Sequence, residues 1–168
     1  AAVNGSGSEG GTISTTLIAT DIDNSNAAGF TFTIVSQPTN ITGSVSIGSV
    51  SYSSGTFTAV ATYTHDASEG TNDSFTYKAN DGSSDSNVAT ASITITGVND
   101  APASIAITGS GSEGGTITTT LTATDVDNSN AAGFNFVIAS QPANITGTIN
   151  RGAVSYASGT FTEVITFT

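Results

Sequence analysis

Apolar and polar residues alternate along most of this chain with a period of two, the spacing that puts successive side chains on opposite faces of a β-strand. In TISTTLIAT (12–20), Ile13, Thr15, Leu17 and Ala19 share one face. In GFTFTIVS (29–36), Phe30, Phe32 and Ile34 fall on one side and Thr31, Thr33 and Val35 on the other. SFTYKAN (74–80) turns Phe75, Tyr77 and Ala79 inward and Lys78 outward, and NVATASITIT (87–96) lines up Ala89, Ala91, Ile93 and Ile95. GTFTAVATYT (55–64) is less clear, because Phe57 shares its face with Ala59, whose counterpart further along the chain is Glu163. Gly, Asn and Ser punctuate the runs and supply turns. Thr, Val and Ile suit a pleated, half-buried surface, and Ala-, Leu- and Glu-rich helical stretches are missing. These patterns predict an all-β fold.

The chain also repeats itself. GSGSEGGTISTTLIATDIDNSNAAGF (5–30) returns as GSGSEGGTITTTLTATDVDNSNAAGF (109–134), and 44 of 60 positions are identical between 5–64 and 109–168 without a gap. The period of 104 residues is the size of an independent domain rather than of a solenoid unit. Strands at this spacing predict tandem Greek-key β-sandwiches, seven strands per complete repeat. The expected domains are 1–100, complete, and 101–168, C-terminally incomplete, because the second copy stops at the counterpart of Thr64 and lacks equivalents of 65–104. A sandwich without its closing strands exposes core and a bare sheet edge. Two expectations follow: the natural chain continues past Thr168, or another chain supplies the strands.

Composition narrows the function. The 168 residues carry 13 acidic side chains against two basic ones, Lys78 and Arg151, for a net charge of −11. A nucleic-acid partner needs a cationic face, and anionic membrane surfaces are disfavoured for the same reason. No apolar run approaches the roughly 20 residues of a membrane helix. With no Cys there is neither disulfide stapling nor thiol chemistry.

The carboxylates gather in short polar stretches at expected strand ends: Glu9 in GSEGG, Asp21 and Asp23 in ATDIDNSN, Asp66 and Glu69 in THDASEG, Asp73 in TNDSF, Asp81 in ANDGSS, Asp100 in VNDAP. Two like charges ~4 Å apart repel by about 4 kcal/mol at an effective dielectric near 20, so such grouping calls for a cation. Hard oxygen donors with a single His favour calcium.

Glu-Gly-Gly-Thr, then Ala-Thr-Asp-x-Asp, then Phe-x-Tyr-x-Ala-x-Asp-Gly, then Ile-x-Ile-x-Gly-Val-Asn-Asp-Ala-Pro together resemble a cadherin-type repeat. The variant is similar to the extender repeats of bacterial surface adhesins of the VCBS and RTX kinds. YTHDASEGTNDSFTYKANDG also resembles repeats of the chondroitin-sulfate-proteoglycan type. The resemblance implies an Ig-like sandwich with calcium held between successive domains. Carried over, it implies junction ligands Glu9, Asp66 and Glu69 from the base of the first domain, Asn99 and Asp100 from the linker, and Asp125, Asp127 and Asn130 from the top of the second. Asp21, Asp23, Asn26 and Asp81 would serve toward a preceding domain, and Glu113 toward a following one. The single linker Asp and the wide spacing of Asp66 and Glu69 depart from the animal pattern and imply one or two ions rather than three. Pro102 fixes its own φ and holds Ala101 extended, so the linker leaves the first sandwich straight.

Several motifs have plainer readings. Asp73 and Asp85 are expected to serve turns and solvated loop ends. DIDNSNAAGF fails as an EF-hand loop, since position six is Asn26 and position twelve is Phe32. GSGSEG matches a phosphate-cradling pattern, but an alternating β-stretch follows where a helix is needed; its glycines are expected at a bulge or tight turn. His65 is expected half-buried at a strand end, with no oxyanion hole or orienting group to make a nucleophilic site. No enzyme is expected. The expected function is an extracellular, cell-surface or secreted spacer module of an adhesin, stiffened by calcium and partnered by neighbouring repeats of its own chain. The alternatives are a self-assembling filament subunit closed by strands of other copies, and a glycan- or surface-binding module using a Thr-rich face such as Thr58, Thr62 and Thr64.

Overall fold

A computed structural model describes residues 1–168; it is all-β and contains no helix. The chain forms two compact units, Ala1–Val98 and Asn99–Thr168.

The first unit is a complete sandwich. Its strands are β1 (Val3–Ser8), β2 (Thr12–Thr20), β3 (Thr31–Ser36), β4 (Ile41–Ile47), β5 (Ser51–Ser53), β6 (Thr56–His65), β7 (Asn72–Asn80) and β8 (Ala89–Thr96). One sheet has the order β1-β8-β7-β3 and the other β2-β6-β4, with β5 pairing β6 at its start. Seven longer strands thus make the sandwich and the three-residue β5 is an eighth. β1 runs parallel to β8, while the remaining pairs are antiparallel. The first residues serve the opposite sheet: the Ala1 ammonium donates to Ile18 O at 3.1 Å before β1 crosses to β8.

The alternation places the core. Ile13, Leu17, Phe32, Phe75, Tyr77, Ala79, Ala91, Ile93 and Ile95 are all buried. The ambiguous run resolves as β6, with Phe57, Ala59, Ala61 and Tyr63 inward. Phe30 stacks on Phe57 across the sandwich, ring centroids 3.7 Å apart. Burying one such ring is worth about 1.5–3 kcal/mol.

The glycines of GSGSEG serve mainly close approach rather than a bulge. A Cβ on Gly7 would lie 2.4 Å from Ile13 Cγ1, and one on Gly5 2.9 Å from Ile93 Cδ1, so β1 can sit tight on the core only without side chains there. The tight turn is confined to Gly10, at φ 63°. His65 is also placed differently from expectation: it is buried, at 2% exposure, with the Gly10 and Ala67 amides both donating to its Nδ1 and its Nε2 without a hydrogen-bond partner.

The second unit contains one sheet, β11-β13-β10-β9 with β12 beside β13. Its strands are β9 (Ala103–Ile105), β10 (Ile117–Thr124), β11 (Asn150–Arg151), β12 (Ser155–Ala157) and β13 (Thr160–Phe167). Phe134 stacks on Phe161 at 3.8 Å, the counterpart of Phe30 on Phe57. Residues 109–114 and 133–140 are not strands here, although 109–114 have the same sequence as 5–10. In the first unit those segments pair with β8 and β7, whose counterparts do not fall within residues 101–168.

Candidate metal centre

The turn between β1 and β2 carries Glu9. Its carboxylate is buried, at 8% exposure, with Oε2 accepting the Val98 amide at 3.1 Å. Oε1 is buried without a hydrogen-bond partner. The turn is held by Gly11 N–H to Ser8 O at 3.0 Å and by Glu9 N–H to Thr96 O at 2.9 Å. Glu69, on the β6–β7 connection, brings a carboxylate oxygen within 4.8 Å of that of Glu9. An unpaired buried acceptor costs about 1–3 kcal/mol, more when charged. The two basic side chains of the protein are bound elsewhere, Lys78 to Asp85 and Arg151 to Glu163.

The other expected ligands at this end of the first unit are tied into local turns. Asp66 Oδ1 accepts both the amide (3.0 Å) and the hydroxyl (2.6 Å) of Ser68, and these bonds hold its pKa below the usual carboxylate value. Asp73 does more than form a solvated turn: its two oxygens take the amides of Thr39 and Asn40, 3.1 and 3.2 Å away, and so pin the loop before β4.

At the opposite end, Asp21 Oδ1 accepts the amides of Asp23 and Asn24, Asn24 Oδ1 that of Asn26, and Asn26 Oδ1 that of Ala28. This chain of Asx turns shapes DIDNSNAA, with Asp21 half-buried and Asp23 exposed. Asp81 Oδ1 takes the amides of Ser83 and Ser84, each at 2.7 Å, and these bonds lower its pKa. Asp85 is likewise lowered, by Lys78 first and Asn80 second, so it serves an ion pair rather than a free loop end. Asp21, Asp81 and Asp85 line a shallow cavity of about 210 Å³ with Phe30 at its side.

The second unit repeats the same turn chain. Asp125 Oδ1 accepts Asp127 and Asn128 amides, Asn128 Oδ1 that of Asn130, and Asn130 Oδ1 that of Ala132. Asp127 Oδ2 accepts the Asp100 amide, which ties the start of the unit to this loop. Asn99 donates its side-chain amide to Asp100 O at 2.8 Å. Glu113 is exposed in a turn.

The geometry therefore brings Glu9 and Glu69 together in one unit, and Asp100, Asp125 and Asp127 onto neighbouring loops in the other. The orphaned Glu9 Oε1 within an all-oxygen donor set suits a hard cation such as calcium. Sequence spacing missed two things. One is the Val98 amide that positions Glu9; the other is the pairing of Arg151 with Glu163, both of which join residues distant in sequence.

Residues 1–96 match the family model described as Bacterial Ig domain. No curated protein matches the chain. A solved structure titled "Structure of Yersinia pseudotuberculosis adhesin InvE" is 16% identical over 97% of this chain, with a TM-score of 0.39; the chain spans 50% of its length.

Proposed function

The chain belongs to the bacterial Ig domain family, and on that premise we propose that it is a calcium-stiffened extender module of a bacterial cell-surface adhesin. The work is mechanical: the repeats hold a terminal binding domain away from the cell. Of the finer types within such sandwiches, the cadherin-like extender repeat fits best, since the Glu-Gly-Gly-Thr, Asp-x-Asp and Asn-Asp-Ala-Pro elements carry the acids. The observation that carries the reading is Glu9, a buried carboxylate with one oxygen held by Val98 and the other unpartnered, close beside Glu69. Calcium takes about 6–8 oxygens, so these two residues form part of a shell. Asp66, Asn99, Asp100, Asp125, Asp127 and Asn130 are the proposed remainder at the junction. Without the ion, carboxylates of successive repeats repel; with it, shared ligands restrict the hinge.

The test is calcium binding by the whole chain. Extracellular modules bind with Kd of about 10⁻⁴–10⁻³ M, so about 10 mM calcium should stabilise the first unit by roughly 1.4–2.7 kcal/mol. Calorimetric unfolding with calcium and with magnesium should show an upward shift of several degrees for calcium alone. Glu9→Gln should abolish the shift. A wild-type melting curve indifferent to calcium would end the proposal.

A further inference from the structure

Sixteen positions differ between 5–64 and 109–168, and only two of the changes introduce charge: Ile47 becomes Arg151, and Ala59 becomes Glu163. The others exchange uncharged side chains, such as Ser14 for Thr118, Val45 for Ile149, Ala61 for Ile165 and Tyr63 for Phe167. The two new charges meet. Arg151 Nε donates to Glu163 Oε1 at 2.6 Å and Arg151 Nη2 to Oε2 at 2.5 Å, a bidentate fork. A third change joins them: Thr31 becomes Asn135, whose Oδ1 accepts from Arg151 Nη2 at 3.3 Å. Arg151 pairs in register with Ile165, two residues from Glu163 on β13, so the long side chain reaches diagonally across the strand pair. Glu163 is 1% exposed and Ala59 is 3% exposed; both face the interior of their own unit.

We infer that the Arg151–Glu163 pair is a matching device that keeps strands of one repeat from assembling with those of its near-identical neighbour. Tandem repeats this alike risk exchanging equivalent strands whenever they fold side by side. Here the exchange meets a mismatch. If β13 took the place of β6 in a first unit, Glu163 would stand opposite the buried Leu17. Ile47 would occupy the place of Arg151, and the carboxylate would be buried without a partner. That is the costly way to break a buried pair. The reverse exchange is milder. β6 in the second unit would leave Arg151 facing Ala59, but the arginine side chain, one-third exposed, can turn to water. The barrier therefore acts mainly against β13 invading the first unit. Ile165 in place of the buried Ala61 adds a steric mismatch on the same strand, and the linked charged set is the part of the mismatch that paired substitutions can remove or transplant.

The whole chain is refolded from denaturant at rising concentration. Intertwined species that survive dilution are counted by size exclusion with light scattering. Two variants make the repeats equivalent in opposite ways: Arg151→Ile with Glu163→Ala removes the pair, and Ile47→Arg with Ala59→Glu adds it to the first repeat. Both should raise the exchanged fraction by more than about tenfold, since each tenfold corresponds to only 1.4 kcal/mol of lost discrimination. An unchanged fraction in R151I/E163A overturns the inference. So does a rise in R151I/E163A alone while I47R/A59E folds and stays at the wild-type level, because local destabilisation then explains it. Should I47R/A59E fail to fold, R151I/E163A with its unfolding midpoint decides the matter.

Discussion

Tyr63 and Phe167 occupy equivalent places in the two repeats, and the hydroxyl that separates them is buried without a hydrogen-bond partner. Burial, with the nearby Asp73 charge adding to it, pushes the Tyr63 pKa up to about 12. The physical meaning is that the folded state disfavours the phenolate. The folded value lies above the ordinary value near 10, so this contribution is fully present below about pH 10 and is lost as pH rises through about 12. Tyr63→Phe removes both the orphaned hydroxyl and the titration. The variant should be more stable than wild type at neutral pH by about 1 kcal/mol in urea unfolding. It should also lose less stability between pH 10 and 12. A variant less stable at neutral pH would mean that the hydroxyl has a partner in solution. At this scale the sequence was partly legible. Alternation marked Tyr63 only within a run left ambiguous, and it could not reveal that Asp73, taken for a local turn former, reaches back to Thr39 and Asn40.

The strands show why local pattern goes only part of the way. GSGSEG is β1 and a turn in the first repeat, yet the identical 109–114 forms no strand, because β1 exists through its parallel pairing with β8. The glycine packing survives without the ladder: a Cβ on Gly111 would lie 2.6 Å from Ile117 Cγ1, much as Gly7 meets Ile13. Backbone amides exchange slowly when they are paired in a cooperative unit. Amides of 5–8 should therefore exchange at least about 100-fold more slowly than those of 109–112, despite identical neighbours. Equal protection would show that the second copy finds a partner for this segment in solution. β2, β3, β7 and β8 were readable as alternating faces since each buries one side. β6 was not, because its second copy carries Glu163 on that buried side, an arrangement explained only by Arg151 on another strand.

At the scale of the whole molecule the acids decide behaviour. Of the expected ligands, the resemblance to cadherin-type repeats supplied the set and the repeat period supplied the order, but neither could say which oxygens remain available. Asx turns engage Oδ1 of Asp21, Asp81 and Asp125 as the Val98 amide engages Oε2 of Glu9, but at Glu9 the remaining oxygen is buried and unpartnered. Burial of the remaining oxygen thus distinguishes Glu9 among carboxylates that look alike in the sequence. With a net charge of −11, the chain in chelator should behave as two repelling modules on a short tether. Small-angle scattering of the two-repeat chain in chelator should give a broad distribution of end-to-end lengths that contracts partly with added monovalent salt. Calcium at millimolar concentration should narrow and lengthen that distribution at constant ionic strength, and Glu9→Gln should behave as if calcium were absent. Salt screens charge without bridging it, so the two treatments must differ in kind. If sodium chloride reproduced the calcium profile, screening alone would account for the change and no shared ion would be needed.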